Sequence, residues 1–444
     1  MINPVNPYHA KYGDPDGLVS APFAGRKEAF ARLYSRLFDP VNTGAILFLG
    51  HQHSGKSALL RNADVVFKET AVGVYVSLRD LTPESEATWL LALAQSITNA
   101  LTEHGFTLSR LSQLDPLGDQ PREWLETSFL PQTLGAVRRK LLLLIDDADR
   151  LLMAERAGQL PQDIFTYLLS LTKKFRDLHI ALALDADFEA DIDDFAPLVV
   201  PNDVIRLSAL TPDESQWLLQ APSHGLYSVP DECALAVHRL VGGAPGLVQH
   251  FGWLFFERWE TYPELNVFTL EDVKALTSTI YLYNEADYRV LWDHLGANER
   301  LVLTAISDLL YNDPLGRMDA QAIQSWLVET DFPLDVTAIN ATLRSLEYRE
   351  VLMPTPAGIS LSASLMQSWL LENARLGRRT QSSAPMPEKP SDPRVRVTPR
   401  LLRILFVILI VLVIANVVAY LWVNSGSPSV PPNIQPTVTL ANSP

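Results

Sequence analysis

Short apolar runs alternate with amphipathic stretches through the first half of the chain. Residues 44–49 (GAILFL), 72–78 (VGVYVSL), 141–145 (LLLLI), 180–184 (IALAL) and 204–207 are too short for ordinary helices. They are apolar enough for strands covered on both faces. Between them, Lys56–Phe67 and 163–176 carry helical periodicity, and Thr82-Pro83 has the form of a helix start, with Thr as N-cap and Pro in the first turn. Residues 105–135 are mixed, with short helices expected around 123–130. Strands alternating with helices over about 200 residues predict an α/β fold with a parallel, doubly covered sheet.

Beyond Leu210 the period changes. Thr211-Pro212-Asp213-Glu214 is a capping box with Pro at the first helical position. Helices are expected at 212–220, 230–241, 245–260 and 270–282, forming a helical lid. Three more follow at 297–311, 319–329 and 335–348. Two extended runs, 351–353 and 358–361, flank Pro354-Thr355-Pro356. Three helices and a hairpin make a winged-helix pattern. Residues 377–400 hold five prolines with Ser, Thr and Arg, the composition of an extended linker.

The segment 404–423 (ILFVILIVLVIANVVAYLWV) has no charge and is long enough to cross a hydrocarbon core of about 30 Å. Arg394, Arg396, Arg400 and Arg403 precede it, and nothing after it is charged. The positive-inside rule then predicts one pass through the plasma (inner) membrane, with the N-terminal bulk cytoplasmic. The expected organisation is an N-terminal segment 1–21, a core 22–208 with the P-loop pattern GxxxxGK[ST] at 50–57, a helical lid 209–284, a winged-helix-like domain 285–376, a linker 377–400, a transmembrane helix 401–423 and an extracytoplasmic tail 424–444.

Composition narrows the function. Of 444 residues 47% are hydrophobic and 20% charged, which excludes wholesale disorder. Acids outnumber bases 51 to 36, a net charge of −15, which makes the chain a poor candidate for a general nucleic-acid coat while leaving room for a local basic patch. Over residues 289–376 the count is six arginines, no lysine and eleven acids, a net charge of −5, so nucleic acid is not an expected partner of the winged helix. The single thiol, Cys233, rules out an internal disulfide and CxxC sites; its place on an amphipathic helix predicts a small buried hydrophobe. The aromatic run 251–259 (FGWLFFERW) reads as lid core.

Gly50-His51-Gln52-His53-Ser54-Gly55-Lys56-Ser57 matches GxxxxGK[ST], between a predicted strand and a predicted helix. Glycines there let backbone N–H groups, and Ser54 with them, cradle phosphates at a helix N-terminus. Lys56 then reaches the outer phosphates and the Ser57 hydroxyl ligates Mg²⁺. His51 and His53 fall at variable loop positions and read as solvent-facing. The third strand ends in Asp146-Asp147. An acid at that place holds the nucleotide's Mg²⁺, and the next one orients or deprotonates the attacking water. ATP and Mg²⁺ are the expected cofactors, with Asp147 and Lys56 as catalytic groups.

Pro22-Phe23-Ala24-Gly25-Arg26-Lys27-Glu28 resembles the "hhGRE" box that precedes the P-loop in STAND NTPases and Orc/Cdc6-type AAA+ ATPases. Val241-Gly242-Gly243-Ala244-Pro245 is similar to the GG.P motif of the same group, and Pro245 in place of a sensor-2 arginine favours the STAND side. The resemblance covers about residues 22–376. It implies that Arg26 lies near the adenine, that Pro245 borders the nucleotide, and that Asp185 is a candidate sensor of the γ-phosphate. Asp147 stands where the AAA+ branch often has Glu, and Leu184-Asp185-Ala186-Asp187 where STAND proteins often have an arginine. The expected function is a membrane-anchored ATP-binding protein with ATPase activity, acting as a nucleotide-dependent switch or assembly factor, with a protein partner and a homo-oligomer in the ATP state. An Orc-like DNA binder and an ATP-binding scaffold with little turnover are the alternatives.

Overall fold

The computed structural model describes residues 5–8, 23–39, 43–79, 84–106, 120–313, 318–356 and 358–374. Five parallel strands, Ala45–Gly50 (β1), Ala71–Ser77 (β2), Lys140–Asp146 (β3), Leu178–Asp185 (β4) and Val204–Arg206 (β5), form one sheet in the order β2-β3-β4-β1-β5. Strand alternation divides their side chains between two apolar layers. Ile46, Phe48, Leu142 and Leu144 pack under Lys27–Phe38 (α1) and Lys56–Phe67 (α2). Leu47, Leu49, Leu143 and Ile145 face the opposite way, onto Glu86–Glu103 (α3), the short helices Pro121–Trp124 (α4) and Leu130–Val137 (α5), Asp149–Arg156 (α6) and Ile164–Lys174 (α7). Both faces are therefore covered, as the uninterrupted apolar runs require.

Two local readings are corrected. Helix α3 starts at Glu86, where Ser85 and Thr88 form a reciprocal capping box, and not at Thr82, which lies outside the described residues. A box that satisfies two orphan N–H groups outcompetes the Thr-Pro start. Helix α6, hidden behind the polar run after β3, was not expected.

After β5 come Pro212–Gln220 (α8), Asp231–Val241 (α9), Pro245–Thr261 (α10) and Leu270–His294 (α11). Then follow Ala297–Asn312 (α12), Ala320–Glu329 (α13), Val336–Tyr348 (α14), an antiparallel hairpin of Leu352–Thr355 (β6) and Gly358–Leu361 (β7), and Ser364–Asn373 (α15). One apolar cluster runs through all of this, from Leu218 to Trp369. Cys233, Phe251, Phe255 and Phe256 are buried within it, as their spacing predicted. Helix α11 does not stop near residue 282. Ile280, Asn284 and Tyr288 continue one buried stripe at four-residue spacing, so 25 residues form a single helix across position 284. The helical region and the three-helix-plus-hairpin region thus share a rigid element.

Residues 5–8 are not a loose leader. Tyr8 is 2% exposed, its ring lies against Gly252 of α10, and its hydroxyl donates to Leu219 O at 2.5 Å. Among the described residues no helix is long and apolar enough to cross a membrane. The expected span 401–423, with the linker 377–400 and the tail 424–444, lies outside the described residues.

Candidate functional site: the carboxyl ends of the parallel strands

Ligand sites of open parallel sheets lie beyond the carboxyl ends of the strands, and the candidate residues meet there. The β1–β4 register sets Gly50 beside Asp185, and the β2–β3 register sets Ser77 beside Asp146. Strand β4 separates the strand of the P-loop from the strand of the paired aspartates.

The loop after β1 folds over its own lysine. Lys56 Nζ donates to Gly50 O at 2.5 Å and His51 O at 2.9 Å, and pairs with Asp185 Oδ2 at 3.0 Å. A Cβ at position 50 would collide with Ser54 Oγ, so only glycine lets the loop close this tightly. Ser54 Oγ is buried and has no hydrogen-bond partner among the described residues. Gly55 takes a positive φ of 86° as it caps α2, and Ser57 lies half-buried on the first turn of that helix. A tight cradle with an orphaned hydroxyl, a lysine and a helix N-terminus fits the phosphates of a nucleotide.

His53 is not solvent-facing. It is 9% exposed, and its Nε2 pairs with Asp287 of α11. His51 is half-buried as well, and burial holds its imidazole below the usual range. The sequence pattern missed this because a loop histidine looks the same whether it meets water or a helix remote in sequence.

Asp146 is 3% exposed at the end of β3. Its Oδ2 accepts from Tyr75 OH at 2.7 Å and its Oδ1 from the Asp147 N–H at 3.1 Å. Asp147 is half-buried, has a φ of 54°, and pairs with Arg79 at 3.0 Å. Burial and then the Asp147 charge push the Asp149 carboxyl up. Neither Tyr75 nor Arg79 was flagged by sequence, since neither belongs to a motif.

Arg26 takes a left-handed φ of 66° at the start of α1 and bridges two backbone carbonyls, Ser208 O and Ser54 O, each at 2.6 Å. Burial pulls its guanidinium down, opposed by Glu214 and Glu350. Arg26 therefore ties the P-loop to the chain leaving β5; Pro22 lies outside the described residues. Pro245 opens α10 directly over the loop: a Cβ built on Gly55 would stand 3.7 Å from its Cγ, and Gly246 N–H donates to His53 O at 3.2 Å. The double glycine before it is needed because Gly243 closes on Leu210, where a Cβ would lie 2.5 Å from the carbonyl oxygen.

A cavity of about 480 Å³ adjoins this cluster. His53, Asp185, Pro245, Asn284, Asp287 and Glu350 are on its walls, whereas Lys56, Ser57 and Asp146 are not. The cavity thus reaches the cradle at 51–54 of the P-loop and at Asp185, the partner of Lys56.

No protein-family model matches the chain, and comparison with curated proteins finds no match. Solved structures similar to it are Orc/Cdc6-type and RuvB-like P-loop AAA+ ATPases. The Walker-type ATPase PABY2304 of Pyrococcus abyssi aligns with a TM-score of 0.53 at 15% identity, over 79% of this chain and 96% of that one. The Aeropyrum pernix ORC2 protein gives 0.47 at 13%, over 84% and 97%. The Thermotoga maritima RuvB Holliday junction branch migration motor gives 0.37 at 14%, over 76% and 92%. The first likeness establishes the P-loop ATPase fold. At 15% identity that likeness carries the fold alone.

Proposed function

We propose that this chain is a membrane-anchored, nucleotide-dependent switch of STAND-like type that binds and hydrolyses ATP. The observation that carries the reading is the convergence of Lys56, Asp146, Asp147 and Asp185 at the carboxyl ends of β1, β3 and β4. ATP brings a transferable phosphoryl group, and Mg²⁺ neutralises the charge that develops on it. The chain supplies Lys56 and the loop N–H groups toward the phosphates, Ser57 and Asp146 toward the metal, and Asp147 toward the attacking water.

The switch reading rests on how α11 is held. His53 of the P-loop pairs with Asp287, and Asp187, just past β4, pairs with His294 at 3.1 Å. Two His–Asp pairs thus join the phosphate cradle and the strand beside it to one helix shared by the helical lid and the winged-helix-like piece. A phosphate that draws Lys56 away from Asp185 disturbs the anchor of both pairs. Hydrogen exchange on the full chain tests this. ATP with Mg²⁺ is expected to change protection along 284–294 as well as in the P-loop, and Asp287→Asn to diminish the change along 284–294 while leaving that in the loop. Protection confined to the loop in the unsubstituted chain would remove the basis for the switch.

A protein partner fits the winged-helix-like piece better than DNA does. Besides its net acidity, Arg349 at the end of α14 pairs with Glu299 at 3.4 Å, and Tyr348 docks on Glu189 and Arg206 of the core. The helix that would enter a major groove is thereby turned toward its own chain at one end. Attachment to the membrane is assigned to 401–423. Truncation after Arg379 is expected to release the protein from membranes with ATP binding intact; persistence in salt-washed membranes would mean another anchor.

A further inference from the structure

Asp146 is the residue assigned to the metal side of the nucleotide, yet motif logic does not explain how its carboxylate is aimed. Tyr75 lies on β2, two residues before Ser77, which is the register partner of Asp146. Its side chain therefore shares a sheet face with Leu144 and Asp146 and reaches one pleat along the neighbouring strand. The hydroxyl ends 2.7 Å from Asp146 Oδ2. Over the face of the phenol ring stands Arg61 of α2, with its guanidinium carbon 3.6 Å from the ring centroid. Arg61 lies on the helix that Lys56 and Ser57 begin. The ring is thus clamped between the P-loop helix and the acid at the end of β3.

We propose that Tyr75 is a positioning residue for the metal-binding carboxylate, holding Asp146 in one orientation relative to the P-loop helix so that its remaining lone pairs face the nucleotide's Mg²⁺. The inference rests on the nucleotide reading above and adds to it a residue that belongs to no motif. Three observations support it. Asp146 is nearly inaccessible, so its rotamer is set by protein groups and not by water. Each of its oxygens already accepts one hydrogen bond, from Tyr75 and from the Asp147 N–H. A carboxylate has about four acceptor sites, so two remain, and both bonds fix where they point. The phenol hydroxyl is the donor of that bond, because an ionised carboxylate can only accept. With both oxygens so held, metal affinity depends on an orientation that one hydroxyl maintains, as outer partners of metal ligands generally do.

The test is binding, not turnover. A fluorescent ATP analogue is titrated into the full chain in EDTA, then at fixed nucleotide with rising Mg²⁺, for the unsubstituted protein, Tyr75→Phe and Tyr75→Leu. Tyr75→Phe keeps the ring against Arg61 and removes only the hydroxyl. It is expected to leave affinity in EDTA unchanged and to raise the half-saturating Mg²⁺ by about tenfold, the lower end of losses seen when outer metal-ligand partners are removed. Tyr75→Leu is expected to show the same Mg²⁺ shift with some loss of thermal stability. A Tyr75→Phe protein with unchanged Mg²⁺ dependence overturns the proposal while leaving the nucleotide site standing. Equal weakening with and without Mg²⁺ also overturns it, since the residue then acts through packing alone. Failure of the unsubstituted chain to bind the analogue removes the nucleotide reading and this inference with it.

Discussion

Lys56→Ala is expected to weaken ATP binding by about a hundredfold, ~3 kcal/mol, the value of losing two charge-assisted hydrogen bonds to phosphate oxygens. The fold should survive the change. Lys56 is largely enclosed, but its anionic partner Asp185 keeps 32% of its side chain exposed, so water replaces the lost ammonium. The carbonyls of Gly50 and His51 lose a donor at the rim of the loop, and the apolar layers under α2 are untouched. A thermal midpoint close to that of the unsubstituted chain, together with the lost affinity, is the expected pair of results. Isothermal titration with ATP and Mg²⁺, alongside a melting curve, reads both. Affinity retained within a factor of three would mean that the phosphates do not lie at this loop.

The sequence made the sheet and the phosphate cradle legible because both depend on local chemistry. A run such as 141–145 has no polar face to show to water, and the glycine spacing of the P-loop has few other uses. Helix α8 was readable to the residue because Thr211, Pro212 and Glu214 define its start by side-chain to backbone bonds within one turn. What stayed hidden depends on contacts between distant segments. The extension of α11 was obscured because Asn284 is polar, yet it is buried on the same stripe as Ile280 and Tyr288. His53 and Asp287 are 234 residues apart, and no periodicity on either segment announces the other. Tyr75 reads as an ordinary strand residue until β3 is placed beside β2. Asp185 was a sensor candidate by position alone; the register Gly50–Asp185 brings it within reach of Lys56, whose counter-ion it is.

Asp147→Asn is expected to separate turnover from binding. The residue lies in the left-handed region, at a φ of 54°, where asparagine is accepted as readily as aspartate, so the turn after β3 should form unchanged. Its ion pair with Arg79 is mostly at the surface, the arginine side chain being 63% exposed, and such a pair contributes roughly 1 kcal/mol or less. Nothing in the change touches Lys56, the glycines of the loop or the hydrogen bonds to Asp146, since the Asp147 N–H that holds Asp146 Oδ1 is backbone. Nucleotide affinity should therefore stay within about twofold. Removal of a general base lowers the chemical step by about a hundredfold or more, and phosphate release at saturating ATP should fall accordingly. The contrast with Lys56→Ala, which loses affinity first, identifies the two groups as parts of one site with different tasks. Full turnover in Asp147→Asn would move the base elsewhere. Asp149 is then the next group to substitute, because burial and the neighbouring charge already raise its proton affinity toward that of a working base.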